Sequence, residues 1–98
     1  MHETKTFGVD YDGTWSADPD AFEAFAALLI ARGHRVVVVT ARASGHVQVR
    51  RAVGKHVHRV IFTSGRPKRA YCAVQDEMID IWIDDMPEMI VGSVKNIG

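Results

Sequence analysis

The chain is predicted to be an α/β protein, a three-layer sandwich built on a small parallel sheet. Strand-like and helix-like segments alternate along its 98 residues, which is typical of βαβ units. The unbroken valine run at residues 36–39 predicts a strand buried on both faces, as in a parallel sheet. An apolar stripe at helical spacing predicts an amphipathic helix before it; its members are Phe22, Phe25, Ala26 and Leu29.

The first half of the chain predicts a strand, a helix and a second strand. The first apolar run, Thr6–Val9, is the first strand. Asp18 and Pro19 begin the helix, because aspartate is a favoured N-cap residue and proline is favoured at the first helical position. Gly33 ends the helix, as glycine commonly does just beyond a helix C-terminus. The second strand is then Arg35–Thr40.

The alternation continues with a second helix and a third strand. Residues 46–53 form the predicted helix, although its apolar stripe is weak, and Gly54 ends it. The apolar run Arg59–Phe62 is the third strand, and the dipeptide Ser64-Gly65 predicts a turn after it.

A third helix and a fourth strand complete the predicted order. Pro67 begins the helix, and its inner face is predicted to be Tyr71, Val74 and Met78. Ile81–Ile83 is the fourth strand, and Pro87 opens a short final helix or turn. The residues after Gly92 receive no assignment.

Right-handed crossovers and a strand order of 3-2-1-4 would place the first strand between the second and the fourth. The alternation permits this order without requiring it. Given that order, polar residues at three strand ends meet at the carboxyl edge of the sheet: Asp10, Asp12, Thr40 and Asp84. This edge is the topological switch point, where open α/β sheets bind ligands.

Composition indicates an ordinary globular chain that forms a single domain over residues 1–98. Hydrophobic residues make up 47% and charged residues 24%, and the longest unbroken apolar run is far shorter than a membrane span. The N-terminus lacks the pattern of an export signal. A lone Cys72 excludes an internal disulfide and predicts a small buried hydrophobe. These features predict a cytoplasmic protein without membrane contact.

Charge is unevenly distributed although the net charge is zero. Residues 32–69 carry ten of the twelve lysines and arginines and no acidic residue. One interpretation is a solvated basic face. The other is an anion-attracting flank suited to the phosphate of a nucleotide or polynucleotide.

Asp10 and Asp12 stand at the end of the first strand, just before Gly13. Two neighbouring carboxylates repel each other, and burying them costs several kcal/mol unless a cation or protons intervene. A divalent metal ion is the usual remedy, and a metal-held carboxylate pair is suited to attack on a phosphate. The alternative is an Asx-turn and helix-cap cluster, which short Asp-Gly segments often form.

Four motifs in order resemble those of the haloacid dehalogenase (HAD)-like phosphohydrolases, whose fold is Rossmannoid. The family's Asp-x-Asp-x-Thr matches residues 10–14, its hydrophobic strand ending in Thr matches residues 36–40, its helix-start lysine matches Lys68, and its strand ending in an acidic pair matches residues 81–85. The first and fourth motifs are specific in combination, whereas the second and third are weak alone. The resemblance covers nearly the whole chain and implies a minimal member without a cap.

The resemblance also implies roles in an Mg²⁺-dependent phosphatase. Asp10 would be the nucleophile that forms an aspartyl-phosphate. Asp12 would be general acid and then general base, Thr40 would bind a phosphoryl oxygen, and Lys68 would neutralise phosphate charge and orient Asp10. Arg66 and Arg69 are the alternatives to Lys68. Backbone N–H groups of Tyr11 and Ala41 are candidate phosphate donors.

Magnesium would be held by the Asp10 carboxylate, the Asp12 backbone carbonyl and Asp84. Asp85 is then either a second ligand, through water, or a partner of Lys68. The roles of Asp84 and Asp85 are interchangeable at this point, because neighbouring side chains at a strand end point in opposite directions.

Only residues 14–17 separate the Gly13 turn from the helix start, and no insertion large enough for a cap precedes Lys68. We therefore expect an open site. Such a site suits a large or polymeric phosphate ester, such as a nucleotide or a nucleic-acid end, unless a second subunit closes it as a lid.

The alternative function is a non-catalytic metal-binding domain that assembles with or regulates a partner. A receiver-like phosphoacceptor domain is disfavoured, since no mid-chain aspartate is in place to accept the phosphate.

Three aromatic or imidazole side chains remain. Trp15 could stack on a substrate base or cover the edge of the core. His56 and His58 share a side of a strand-like segment, but no further ligand stands at zinc spacing, so both are interpreted as surface or edge residues.

Overall fold

The computed structural model describes residues 2–92 and contains a four-stranded, all-parallel sheet with the strand order β3-β2-β1-β4. The strands are β1 (Thr6–Val9), β2 (Arg35–Thr40), β3 (Arg59–Phe62) and β4 (Ile81–Ile83). The predicted α/β class, the order 3-2-1-4 and all four strand ranges are confirmed. The unassigned tail after Gly92 lies outside the described residues.

In the described part of the chain, four α-helices connect or follow the strands: α1 (Pro19–Ala31), α2 (Val47–Val53), α3 (Lys68–Val74) and α4 (Glu88–Val91). The predicted start of α1 is confirmed, because the backbone N–H of Ala21 donates to Oδ1 of Asp18 at 3.2 Å. Within residues 2–92, no helix is long and apolar enough to cross a membrane.

Two apolar clusters lie on opposite faces of the sheet. The larger one joins alternate residues of the central strands to α1 and α2, including Val36 and Val38 with Leu29 and Val53. The smaller one joins the intervening strand residues to α3; its buried members are Val37, Val39, Ile61 and Cys72. Period-two alternation explains the division, since successive strand side chains point to opposite faces. The sheet is therefore the middle layer of three.

The change of face has a topological cause. The connections β1–α1–β2 and β2–α2–β3 both step in one direction along the sheet, whereas β3–α3–β4 returns past β1 in the other. Crossovers of one hand that step in opposite directions place their helices on opposite faces. The direction changes next to β1, so the carboxyl edge of β1 is the topological switch point, where open α/β sheets bind ligands.

The predicted inner face of α3 is wrong. Val74 and Met78 are 78% and 73% exposed, and only Tyr71 of the predicted set is partly buried. Lys68 and Cys72, one turn apart, are the buried residues of this helix. The helix ends at Val74, and Asp76 takes a left-handed backbone conformation, with φ of 58°, so Met78 does not continue the helical stripe.

Trp15 is a core residue. It follows β1 in a short 3₁₀ turn (Trp15–Ala17), is 1% exposed, and packs in the larger cluster. Of its two interpretations, core cover is the one that the structure bears out.

Candidate active site

The carboxyl ends of three adjacent strands bring the predicted site residues to one edge of the sheet. Val9, the last residue of β1, is paired with Val38 in β2 and with Ile83 in β4. Asp10 and Asp84 are the next residues of β1 and β4, and the backbone N–H of Asp10 donates to the carbonyl of Ile83 at 2.9 Å. Two carboxyl groups that are 74 positions apart in sequence are therefore neighbours.

Lys68 lies between these two carboxylates. Its ammonium group is 2.7 Å from Oδ1 of Asp10 and 2.6 Å from Oδ2 of Asp84. The Lys68 side chain is only 2% exposed. A lysine is rarely buried without anionic partners, and the ends of β1 and β4 supply Lys68, the first residue of α3, with two.

The neighbouring basic residues do not reach this position. Arg66 is exposed and its guanidinium lies 5.6 Å from the centre of the Tyr71 ring. Arg69 is exposed as well. Among Arg66, Lys68 and Arg69, the structure brings Lys68 to the carboxylates.

Thr14 links Asp10 to Asp85. Its hydroxyl oxygen lies 3.0 Å from Oδ2 of Asp10 and 3.2 Å from Oδ1 of Asp85, and it accepts the backbone N–H of Asp85 at 3.2 Å. A hydroxyl has one proton and donates to one carboxylate at a time. The second carboxylate contact is favourable only when a proton or a cation is present nearby.

Asp10, Asp84 and Asp85 form a compact acidic cluster. Each offers a carboxylate oxygen, and these oxygens all lie within 4.8 Å of one another. Three carboxylates against the Lys68 ammonium leave two negative charges in excess. A divalent cation has the charge that would balance them, and oxygen donors are the ligands that Mg²⁺ prefers.

The two C-terminal aspartates have different surroundings. Asp84 accepts from Lys68 through one oxygen and from the backbone N–H of Met86, at 2.9 Å, through the other. Asp85 is exposed, and its carboxylate lies against Gly13. Asp84 is therefore the partner of Lys68, and the carboxylate of Asp85 is the more accessible one.

Burial raises the pKa of Asp10 to about 6, and its proximity to Asp85 and Asp84 acts in the same direction. The Lys68 hydrogen bond and charge oppose that increase. A carboxylate that is costly to ionise gains from any cation placed beside it. Lys68 therefore balances the negative charge of Asp10 only in part.

Asp12 lies outside the acidic cluster. Its carboxylate accepts two hydrogen bonds from Arg42, at 2.9 Å from Nε and 2.6 Å from Nη2. This bidentate pair holds the pKa of Asp12 below its ordinary value. The Arg42 guanidinium also lies 5.4 Å from the centre of the Tyr11 ring, within the range of a cation–π contact.

Thr40 is fully buried at the end of β2, and its hydroxyl oxygen accepts the backbone N–H of Arg42 at 3.3 Å. Within residues 2–92 the Thr40 hydroxyl forms no hydrogen bond to the acidic cluster. The predicted contacts of Thr40, of the Asp12 carbonyl and of the Tyr11 and Ala41 N–H groups with phosphate or metal stay predictions.

Two further residues at this edge were not predicted as site residues. Arg42 was counted only as part of the basic segment, although its position two residues after Thr40 was a signal of proximity to the site. Thr63 follows β3, is fully buried, and its hydroxyl has no hydrogen-bond partner among the described residues. Its backbone N–H donates to the carbonyl of Thr40 at 2.9 Å.

Cys72, His56 and His58 lie outside the acidic cluster and contact other parts of the fold. Cys72 is 1% exposed, and burial raises the pKa of its thiol to about 11, which disfavours the reactive thiolate. His56 pairs with Glu23 at 2.7 Å. His58 is exposed and accepts the backbone N–H of Val36 through Nδ1 at 3.0 Å.

Comparisons of the chain with protein-family models, curated proteins and solved structures found no match.

Proposed function

We propose that this protein is an Mg²⁺-dependent phosphomonoesterase that works through an aspartyl-phosphate on Asp10. The observation that supports this function best is the two buried ion pairs of Lys68, one with Asp10 and one with Asp84, with Asp85 beside them. A purely structural role accounts poorly for it, because burying three charged groups at the rim of a sheet is costly and adds little stability. Strongly perturbed ionisable groups in a crevice are characteristic of functional sites.

The residues present fit a magnesium ion. Asp10, Asp84 and Asp85 would hold it, with the Asp12 backbone carbonyl as the further ligand that the HAD resemblance implies. Bound there, the ion would neutralise phosphate charge and polarise the phosphoryl group. The excess of two negative charges in the cluster is the feature that favours a divalent ion.

The chain's own residues can carry the two chemical steps. A carboxylate oxygen of Asp10 attacks phosphorus, the ester P–O bond breaks, and its electron pair leaves with the alkoxide, which takes a proton from Asp12. Asp12 then takes a proton from water as the water oxygen attacks the phosphorus of the acyl phosphate. The bond between Asp10 and phosphorus breaks, so inorganic phosphate leaves and the Asp10 carboxylate is restored.

Lys68 has two effects on this sequence. Its ammonium group holds Oδ1 of Asp10 in one position, which orients the nucleophile. It also favours the ionised form of Asp10 against the effect of burial. Nucleophilic attack needs that ionised form.

Asp12 can donate a proton only after Arg42 releases it, because the bidentate pair stabilises the carboxylate. A substrate phosphate is an anion with the geometry to replace a carboxylate on the guanidinium fork. Substrate binding would then release the Asp12 carboxylate, which would take up a proton from water before donating it to the leaving alkoxide.

The surroundings of the site favour a large phosphate ester. The segment between Gly13 and α1 is a single 3₁₀ turn, and six residues connect β2 to α2, so neither forms a cap over the site. A second subunit acting as a lid is the alternative way to close the site.

The buried thiol of Cys72 and the absence of a second cysteine suit a reducing compartment such as the cytoplasm.

One observation favours a non-catalytic metal-binding domain instead. Asp12 is held as an anion by Arg42, and a domain that only binds a metal and a partner does not need Asp12 as an acid.

Hydrolysis of an aryl phosphate with and without Mg²⁺ separates the two functions. We expect Mg²⁺-dependent turnover by the wild type, loss of turnover in Asp10→Asn, and wild-type turnover in Asp76→Asn. Asp76 is an exposed aspartate just after α3 that is not part of the acidic cluster, and Asn tolerates its left-handed backbone. If the wild type and Asp10→Asn are equally inert on a broad panel of phosphate esters, the binding-domain function replaces the catalytic one.

A further inference from the structure

A groove with a volume of about 410 Å³ runs along the open edge of β3. We call it the β3-edge groove. Residues 60–62 of the strand form its floor, and side chains from the neighbouring loops and helices line it: Ser44, Arg50, His58, Arg59, Tyr71 and Gln75. Because β3 is the last strand at this end of the sheet, an extended chain can lie beside it.

The groove is positively charged. Arg50 is exposed and holds its guanidinium 5.0 Å from the centre of the Phe62 ring, over the floor. Arg59 contacts Glu77, but Arg35 shares the same carboxylate at 2.9 Å, so one positive charge is left over. None of the described lining residues is acidic.

The lining also offers hydrogen-bond donors and flat surfaces. Nδ1 of His58 accepts a backbone N–H, so the neutral imidazole carries its proton on Nε2 and can donate from there. The half-buried Tyr71 ring and the guanidinium planes of Arg50 and Arg59 are surfaces on which bases can stack.

One end of the groove lies near the candidate active site. Ser44 lies in the loop after β2, two residues beyond Arg42, which holds Asp12. The backbone N–H of Ser64 donates to the carbonyl of Arg42 at 3.2 Å, and this bond joins the loops that follow β2 and β3. A chain in the groove therefore leads towards Arg42 and the carboxylates beyond it.

We propose that the β3-edge groove binds single-stranded nucleic acid and presents its terminal phosphate to the candidate active site. The proposal rests on the proposed phosphatase function, which it deepens by naming the substrate class. Repeated phosphates match the excess positive charge, and bases match the stacking surfaces. An acidic peptide would satisfy the charge but would leave the stacking surfaces unused.

Fluorescence anisotropy with a labelled single strand of about ten nucleotides, a length that one small domain can cover, tests the groove directly. Arg50→Glu is the test variant, and Arg51→Glu is its matched control, because Arg51 is the next residue of α2, is exposed and does not line the groove. We expect Arg50→Glu to weaken binding about tenfold and to reduce the salt dependence by about one counterion. Arg51→Glu should bind like the wild type.

Three results would overturn the proposal that the groove binds nucleic acid. They are equal losses of affinity in the two variants, an affinity that does not depend on salt, and a poly-glutamate peptide that binds as tightly as the nucleic acid. The last result would assign the groove to an acidic partner. Binding is measured in EDTA, where no hydrolysis is expected, so this result is independent of the aryl phosphate assay. If the protein binds the nucleic acid but does not hydrolyse phosphate esters, the proposed phosphatase function is wrong. If it hydrolyses phosphate esters but does not bind the nucleic acid, only the proposed substrate class is wrong.

Discussion

Nζ of Lys68 lies 2.7 Å from Oδ1 of Asp10, and both side chains are almost completely buried, at 2% and 8% exposure. The pair joins the start of α3 to the end of β1 across 58 positions of sequence. Among residues 2–92, Lys68 is the one cation that pairs with carboxylates of the acidic cluster.

Replacing Lys68 with methionine should destabilise the protein strongly. The substitution keeps most of the side-chain volume but leaves Asp10 and Asp84 without their ammonium partner, and breaking a buried pair in this way costs about 3–5 kcal/mol. Urea denaturation in EDTA measures the loss, and Mg²⁺ should restore part of it. Arg69→Met, at an exposed position of the same helix, is the control. Equal stability of the two variants would contradict the compensating role of Lys68.

Magnesium should raise the stability of the wild type. A ligand that binds only the folded state adds about 2.7 kcal/mol at a concentration one hundred times its dissociation constant. Asp85→Asn removes the most accessible carboxylate of the cluster and should reduce the Mg²⁺-dependent rise in Tm, whereas Asp76→Asn should not. An identical rise in the wild type and Asp85→Asn would place the ion elsewhere.

The strands and their convergence could be predicted because they depend on local pattern and chain order. Continuous apolar runs define β2 and β3, and the carboxyl ends of parallel strands meet at one edge whatever the side chains do. The inner face of α3 could not be predicted in the same way. That face depends on a seven-residue helix ending before Asp76, whose left-handed conformation has no clear periodic signal.

The pairing of Asp12 with Arg42 could not be predicted from the sequence, for a different reason. Arg42 is one of ten basic residues between residues 32 and 69, and its selection depends on where the loop after β2 directs one flexible side chain. Similarly, the choice of Lys68 over Arg66 and Arg69 depends on helix phase at the first turn of α3. Sequence spacing defines the candidates, and packing selects among them.

Replacing Arg42 with alanine should raise the pKa of Asp12 towards its ordinary value, because the bidentate hydrogen bonds are the largest cause of its depression. NMR titration of the side-chain carboxyl carbon measures this shift. Stability should change little, since the Asp12 side chain is 53% exposed and exposed ion pairs are weak. Arg66→Ala is the control, and an unchanged Asp12 titration in Arg42→Ala would contradict the pairing.

Glu77 should make stability depend on acidic pH. Arg35 and Arg59 hold its pKa below the ordinary value of 4.5, so its contribution is complete above about pH 4.5 and is lost as pH falls through the lower folded-state pKa. Glu77→Gln should cost about 1 kcal/mol at neutral pH, because the arginine partners are partly exposed. Urea denaturation of both proteins from neutral to acidic pH should show this difference shrinking. A difference that stays constant would mean that Glu77 contributes through packing alone.

Gly13 controls where the Asp85 carboxylate can lie. Its φ is 79°, and a Cβ atom built there would collide with the Asp85 carboxylate, whereas Gly65 has a φ of 80° and open space around the same position. Alanine at either site should cost about 1 kcal/mol of conformational strain. Gly65→Ala therefore measures the cost of backbone strain alone, without a collision of the new Cβ atom.

The Asp85 carboxylate is the end of an exposed, flexible side chain and can move away from a new methyl group at small cost. Gly13→Ala should therefore match Gly65→Ala in stability when both are unfolded in EDTA, but it should lose much of the Mg²⁺-dependent stabilisation that Gly65→Ala retains. A calorimetric titration of Mg²⁺ into both variants measures the difference directly. Equal Mg²⁺ affinity in the two proteins would show that the ion does not need Asp85 in its observed position.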